Sequence, residues 1–299
     1  MPQVQANGIT IEYETRGPES GEPLLLVMGL GAQMTRWPDA MVDKLTAQGF
    51  RVIRYDNRDV GLSTHFPDAG VPDAREVIKA RSEGRKADVP YTLDDMAADG
   101  VALLDALGIA KAHVVGASMG GMIAQLIAAD YPDRVLSLTS IMSTSGAAGL
   151  DPATPEAMAV ITTPAPHPSD EAAFRAHSYK NAVTIGSPAY PPDEAYIHQR
   201  ALSDAARAYD PAGVGRQYAA VIANGDRRPK LAKIKAPTVV FHGADDPLVP
   251  LSGGKDTAAH IPGAELIVVP GMGHDLPPQL FDQVTRAIVA VRDRARAAA

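Results

Sequence analysis

His113-Val114-Val115-Gly116-Ala117-Ser118-Met119-Gly120 is the stretch on which the fold turns. A short apolar strand runs into Gly116, and the segment from Met119 to Tyr131 reads as a helix stopped by Pro132. A Gly-x-Ser-x-Gly between a strand and a helix forms a sharp elbow that lifts the serine hydroxyl out of a sheet. Glycines flank it because side chains there would collide with neighbouring backbone. The helix start behind Ser118 supplies free N–H groups and the positive end of a dipole.

On either side of this elbow the chain alternates strands with helices. Ile9 to Glu14 alternates apolar and polar after an Asn7-Gly8 turn signal. Leu24-Leu25-Leu26-Val27-Met28 is a continuous apolar run, as in a strand buried on both faces. Met34, Trp37, Met41 and Leu45 follow at helical spacing, which predicts one helix closed by Gly49, and Arg51 to Tyr55 is the next strand. Thr92-Leu93-Asp94-Asp95 marks a helix start, with Ala97, Val101, Leu104 and Leu107 as its buried stripe and Gly108 as its C-cap. Beyond the elbow come strands at Val135 to Met142, Thr238 to Phe241 and Glu265 to Val269, and a helix at Leu251 to His260. Phe281, Val284, Ile288 and Val291 form the stripe of a closing helix, with Pro277 and Pro278 near its start.

This rhythm predicts an α/β fold with a mostly parallel central sheet flanked by helices. Residues 145–230 break it, holding ten of the 25 prolines, helical patches and no clear strand. They are expected to form a mainly helical lid insertion over one end of the sheet, with 1–144 and 231–299 as the core.

Composition narrows the function. Among 299 residues, 28 Lys and Arg against 35 Asp and Glu give a net charge of −7, which disfavours nucleic acid as a partner. The chain has no cysteine, so disulfides, thiolate metal sites and a cysteine nucleophile are excluded. The N-terminus has no signal-peptide pattern. The most apolar run, Leu24 to Ala32, is about half of the ~18 residues a membrane span needs. A cytoplasmic protein with no membrane partner is expected. Its oligomeric state is left open, a homodimer being one option.

Ser118 needs a base to take its proton. Of the eight histidines, His274 sits in Pro270-Gly271-Met272-Gly273-His274, where two glycines permit a tight turn over the sheet end. His113 and His242 lie in or at the end of strands and read as structural. His65, His167, His177, His198 and His260 read as surface or lid residues. A carboxylate must then hold the imidazole tautomer. Asp246, in His242-Gly243-Ala244-Asp245-Asp246-Pro247, completes the order Ser118, Asp246, His274 that the elbow fold requires. Asp245 is the rival, one register step away. The other place for such an acid, Ser140 to Ser145, holds no carboxylate. The oxyanion donors fall by position on the backbone N–H groups of Leu30 and Met119.

Two other features imitate function. Gly29-Leu30-Gly31-Ala32-Gln33-Met34, with Asp56 after the next strand, resembles a dinucleotide fingerprint, but Met34 stands where Gly or Ala is needed. Neither a phosphate loop nor a His-Glu-x-x-His is present, so no cofactor and no metal are expected. The basic run Arg227, Arg228, Lys230, Lys233 and Lys235 is expected to be a solvated face where the insertion rejoins the core.

These features together resemble the α/β-hydrolase family from about Ile9 to the final helix. The Ser118 elbow, the Asp246 and His274 loops and Tyr55-Asp56-Asn57-Arg58-Asp59-Val60-Gly61-Leu62-Ser63 carry the likeness. Many relatives have Gly at Asp59 and His at Met28. Met28 to Pro38, Val52 to Thr64 and Pro270 to Pro277 are similar to aclacinomycin methylesterase-like proteins, serine esterases that cleave a methyl ester on a polyketide. The resemblance implies a serine carboxylesterase acting on a small-molecule ester through an acyl-enzyme. The alternatives are lactone, carbon–carbon or perhydrolytic use of the same triad, or a non-catalytic receptor on the same fold. Met28, Trp37, Met142, Tyr179, Tyr190 and Tyr196 are expected to line an apolar pocket.

Overall fold

Leu24, Leu25, Leu26 and Val27 have no exposed surface, which requires cover on both faces of their strand. Side chains alternate across a strand. Leu24 and Leu26 therefore pack with Met41, Leu45, Phe50 and Phe281 in one cluster, and Leu25 and Val27 with Leu104, Ile123 and Ile127 in the other. The computed structural model describes residues 2–298 and sets the sheet between these two apolar layers.

In chain order the elements are β1 Gln3–Ala6, β2 Ile9–Arg16, β3 Glu22–Val27, α1 Asp39–Ala47, β4 Phe50–Tyr55, α2 Ala74–Ser82, α3 Leu93–Ala106, β5 Ala112–Ala117, α4 Met119–Asp130 and β6 Val135–Ile141. Then follow α5 Pro155–Thr162, α6 Glu171–Ile185, α7 Glu194–Arg207, α8 Pro211–Asn224, α9 Arg228–Leu231, β7 Thr238–Gly243, α10 Leu251–His260, β8 Glu265–Val269 and α11 Phe281–Ala298. The eight strands run in the order β1-β2-β4-β3-β5-β6-β7-β8. β1 and β2 pair antiparallel, β2 is antiparallel to β4, and every later pairing is parallel. Asn7 and Gly8, both at positive φ, close the first hairpin as a two-residue turn requires.

Parallel pairing has a functional consequence. The loops after β3, β5, β6, β7 and β8 all leave the same edge of the sheet, where α/β folds place their sites. Between β6 and β7 the chain forms α5 to α9 and no strand.

Two expectations about the fold need correction, and two elements are added. Met34 to Leu45 is not one helix. Met34–Arg36 is a single 3-10 turn, Trp37 and Pro38 are extended, and α1 begins at Asp39. The residue before a proline is pushed out of helical geometry, yet Met34, Trp37, Met41 and Leu45 are all fully buried. β1 and α2 carry no clear periodicity in the sequence and are additions. The basic run is not uniformly solvated: Arg227 is 2% exposed and donates to Gln125 Oε1, Asn224 Oδ1 and the Thr144 carbonyl. Burial lowers its pKa to about 10.

Candidate active site

Ser118 sits between β5 and α4 at φ 56° and ψ −121°. Its N–H donates to the Ile141 carbonyl at 2.9 Å, and the Ser118 carbonyl accepts from Ser143 Oγ at 2.9 Å. The flanking glycines are steric necessities. A Cβ on Gly116 would lie 2.0 Å from the Gly120 carbonyl oxygen, and one on Gly120 would lie 2.1 Å from that of Val27.

His274 Nε2 lies 2.9 Å from Ser118 Oγ, and His274 Nδ1 lies 2.8 Å from Asp246 Oδ2. An ionised carboxylate only accepts, so Nδ1 carries the proton and Nε2 is the free base facing the hydroxyl. The second oxygen of Asp246 accepts from Leu248 N at 2.9 Å and Val249 N at 2.8 Å, which fixes the carboxylate plane. Asp246 is 5% exposed and His274 8% exposed, so water competes little for these bonds. Asp245 turns the other way and accepts from Gly271 N at 2.7 Å, tying the β7 loop to the turn that leads to His274. His242 is fully buried beside the pair, with Nε2 donating to Val249 O at 2.8 Å and lying 3.9 Å from Asp246 Oδ2. Burial lowers its pKa, which keeps it neutral.

The helical segment between β6 and β7 contributes supports that no sequence signal marks. His274 N donates to the Ile185 carbonyl at 2.7 Å, at the end of α6. Gly273 N donates to Ser187 Oγ at 2.9 Å, and Ser187 in turn donates through N and Oγ to Asp275 Oδ1. Burial raises the Asp275 pKa.

The loop after β3 approaches from the other side. A Cβ on Gly29 would lie 3.2 Å from Ser118 Cβ, so this loop runs close to Ser118, and Met119 is the first residue of α4. Met28 holds the loop base, its carbonyl accepting from Asn57 Nδ2 at 2.9 Å. The dinucleotide imitation dissolves here. The buried Asp56 carboxylate accepts from Met34 N at 2.8 Å and Leu62 N at 3.0 Å and pairs with Arg207 at 2.7 Å. Asp59, where many relatives have Gly, sits at φ 66°. Arg216 of α8 at 2.8 Å and the Tyr91 hydroxyl at 2.6 Å compensate it. His65 is no free surface residue, its Nδ1 lying 2.7 Å from Asp210. Asp59, His65 and Asp210 bring possible ligand atoms within 4.8 Å, but the Arg216 guanidinium already bonds both carboxylates, and its positive charge opposes a bound cation.

The expected pocket residues disperse. Met28 and Met142 are nearly buried near the rim, and Tyr190 packs half-buried against the same cluster. Trp37 has no exposed surface and belongs to the core, because the Trp37-Pro38 break turns it inward. Tyr196 is 46% exposed, its ring against the Arg200 guanidinium. Tyr179 lines a cavity of about 450 Å³ with Ser187, Pro188, Asp245 and Pro247.

Residues 22–278 match the family model of the alpha/beta hydrolase fold. The chain belongs to that family. It is 30% identical over 304 residues to rhodomycin D methylesterase DauP of Streptomyces sp., covering 94% of each chain. It is also 30% identical to a putative carbamate hydrolase RutD of Variovorax paradoxus, covering 88% of this chain and 89% of that one. Among solved structures, a thermophilic esterase from Thermogutta terrifontis superposes with a TM-score of 0.68 at 25% identity, covering 99% of each chain. A meta-cleavage product hydrolase from Pseudomonas fluorescens superposes at 0.73 and 19% identity, covering 99% and 98%, which speaks for the fold alone. The methylesterase relatives agree with the likeness carried by Met28 to Pro38, Val52 to Thr64 and Pro270 to Pro277. Among the described residues no helix is long and apolar enough to cross a membrane.

Proposed function

We propose that this hydrolase is a serine carboxylesterase acting on a small-molecule ester. The observation that carries the reading is the continuous chain from Ser118 Oγ through His274 to Asp246, at 2.9 and 2.8 Å. Ser118 attacks the ester carbonyl while His274 Nε2 takes its proton, and Asp246 holds the tautomer and stabilises the imidazolium. The oxyanion forms between the Leu30 and Met119 N–H groups, aided by the start of α4. His274 returns the proton to the leaving alcohol. The acyl-enzyme is then opened by a water that His274 deprotonates. No step calls for a metal or cofactor. Residues 145–230 act as a lid that also braces the His274 loop through Ile185 and Ser187.

An ester is the reading that agrees with the methylesterase relatives, which are 30% and 28% identical over 94% of the chain; carbamate and lactone cleavage are the competing readings that the test below separates. The test has two arms. A fluorophosphonate should label Ser118 and no other residue by peptide mapping. Turnover of p-nitrophenyl and methyl esters should then exceed that of lactones and carbamates. Labelling without turnover would mark a receptor on this fold.

A further inference from the structure

Gln217 of α8 is a polar residue with no exposed surface, and both polar atoms of its carboxamide have a partner. Its Oε1 accepts from Gly31 N at 2.8 Å, and its Nε2 donates to the Arg58 carbonyl at 2.7 Å. One end of this bridge is rigid. Arg58 is 7% exposed, clamped on Asp99 by two bonds of 2.6 Å, with its guanidinium against the rings of Phe66 and Tyr91. The other end is the loop beside Ser118. There Ala32 N donates to Gly29 O at 3.2 Å and Gly31 sits at φ 63°, a tight turn with glycine at its third position. Gly29 O and Leu30 N–H belong to one peptide and point in opposite directions. The bond to Ala32 therefore aims the Leu30 N–H away from the turn, while Gln217 fixes the next peptide. Val214, on the preceding turn of α8, closes the space, since a Cβ on Gly31 would lie 2.9 Å from its Cγ2.

We infer that Gln217 is the positioning residue of the oxyanion loop, transmitting the rigidity of the Arg58–Asp99 pair to the Leu30 N–H. This inference rests on the serine-esterase reading. Gln217 touches no substrate. It sets where one donor stands when charge develops on the carbonyl oxygen. The stabilisation of that charge falls steeply with misplacement, and about 1 Å can cost a hundredfold.

Two variants test it with p-nitrophenyl acetate as substrate. Gln217→Met keeps the volume and removes both hydrogen bonds. Its kcat should fall by about ten- to a hundredfold, less than the 10²–10³ expected for outright loss of a donor. KM should stay within about twofold, and the affinity for trifluoroacetophenone, which forms an oxyanion on Ser118, should fall by the same factor as kcat. Gln217→Glu adds a readout that a general packing role does not move. Protonated, its carboxyl reproduces both bonds; ionised, it faces the Arg58 carbonyl without a proton to donate, and burial raises its pKa. The ratio of its kcat to that of the wild type, taken at each pH so that His274 cancels, should rise as pH falls from 8 to 5.5.

A folded Gln217→Met protein with wild-type kcat overturns the inference, as does a loss confined to KM. If that variant does not fold, a flat Gln217→Glu ratio overturns it and a rising ratio sustains it. Ser118→Ala run alongside separates the two levels. Activity surviving in that variant would remove the esterase reading itself, whereas an inactive Ser118→Ala with an unaffected Gln217→Met removes only this role.

Discussion

Ser118 and Asp59 are both non-glycine residues at positive φ, 56° and 66°, and the molecule holds them there by different means. Each such backbone costs on the order of 1–3 kcal/mol and persists only where its surroundings over-determine it. At Ser118 the support is close in the fold: glycines that let β3, β5 and α4 approach, the Ile141 carbonyl on the neighbouring strand, and Ser143 just after it. At Asp59 the backbone N–H is held locally by the Thr64 carbonyl and the carboxylate accepts from Phe66 N, but the charge is balanced remotely. Arg216 lies 157 residues away on the insertion and Tyr91 lies 32 residues away, and both address one buried carboxylate. Strain supported by backbone sterics leaves a motif. A charge balanced by a distant counter-ion leaves two unremarkable letters.

Four experiments would break or sharpen this contrast. Ser118→Ala removes the proposed nucleophile and should lower turnover by about a million-fold with an unchanged far-ultraviolet spectrum. A residual tenth of the activity would show that the elbow's strain serves something other than nucleophilic attack. Asp246→Asn should lower kcat by about 10⁴ through the wrong imidazole tautomer. Asp245→Asn should fall well short of that, because Asp245 holds the Gly271 turn and does not touch His274. Equal losses would erase the distinction between the two carboxylates.

Arg216→Met should leave turnover chemistry in place but cost about 3–5 kcal/mol in urea unfolding, since Asp59 is left buried without its counter-ion, with only neutral donors from Tyr91 and Phe66. The double variant Asp59→Gly with Arg216→Met should recover most of that loss, because glycine accepts the left-handed backbone without a charge to balance. No recovery would show that Arg216 acts elsewhere. The smallest effect concerns His113, 2% exposed, bonded to Ser137 at 2.7 Å, its pKa lowered by burial to about 4. The folded state binds this proton less readily than the unfolded chain, so stability is complete above about pH 6.5 and is lost as pH falls toward 4. The loss reaches up to about 3 kcal/mol. His113→Gln should flatten the stability profile across that window; an unchanged slope would assign the acid sensitivity to other groups.

Much of this organisation is legible in the chain because its causes are local or periodic. The apolar run Leu24 to Val27 announces a doubly covered strand, and Thr92 with Asp95 announces a helix start, which the structure forms as a reciprocal capping box. The order Ser118, Asp246, His274 follows from the family's topology, and the three side chains meet at one rim. The Trp37-Pro38 break was hidden beneath a helical spacing of apolar residues that also suits a 3-10 turn followed by a helix. Arg227 was hidden among solvated cations, since charge alone does not show which guanidinium is enclosed by carbonyls.

The sequence by itself determined the sheet, the elbow and the chemistry available at the sheet edge, because strand alternation, glycine sterics and chain order act over a few residues or one topological unit. Only the tertiary structure decided that Asp246 faces His274 while Asp245 faces Gly271, and that Ile185, Ser187, Arg216 and Gln217, between β6 and β7, bond to the loops around Ser118 and His274 and to Asp59. Those choices depend on where side chains arrive in space after long loops close. A hydrogen bond between residues 186 positions apart, as from Gly31 to Gln217, leaves no spacing for a reader of the chain to find.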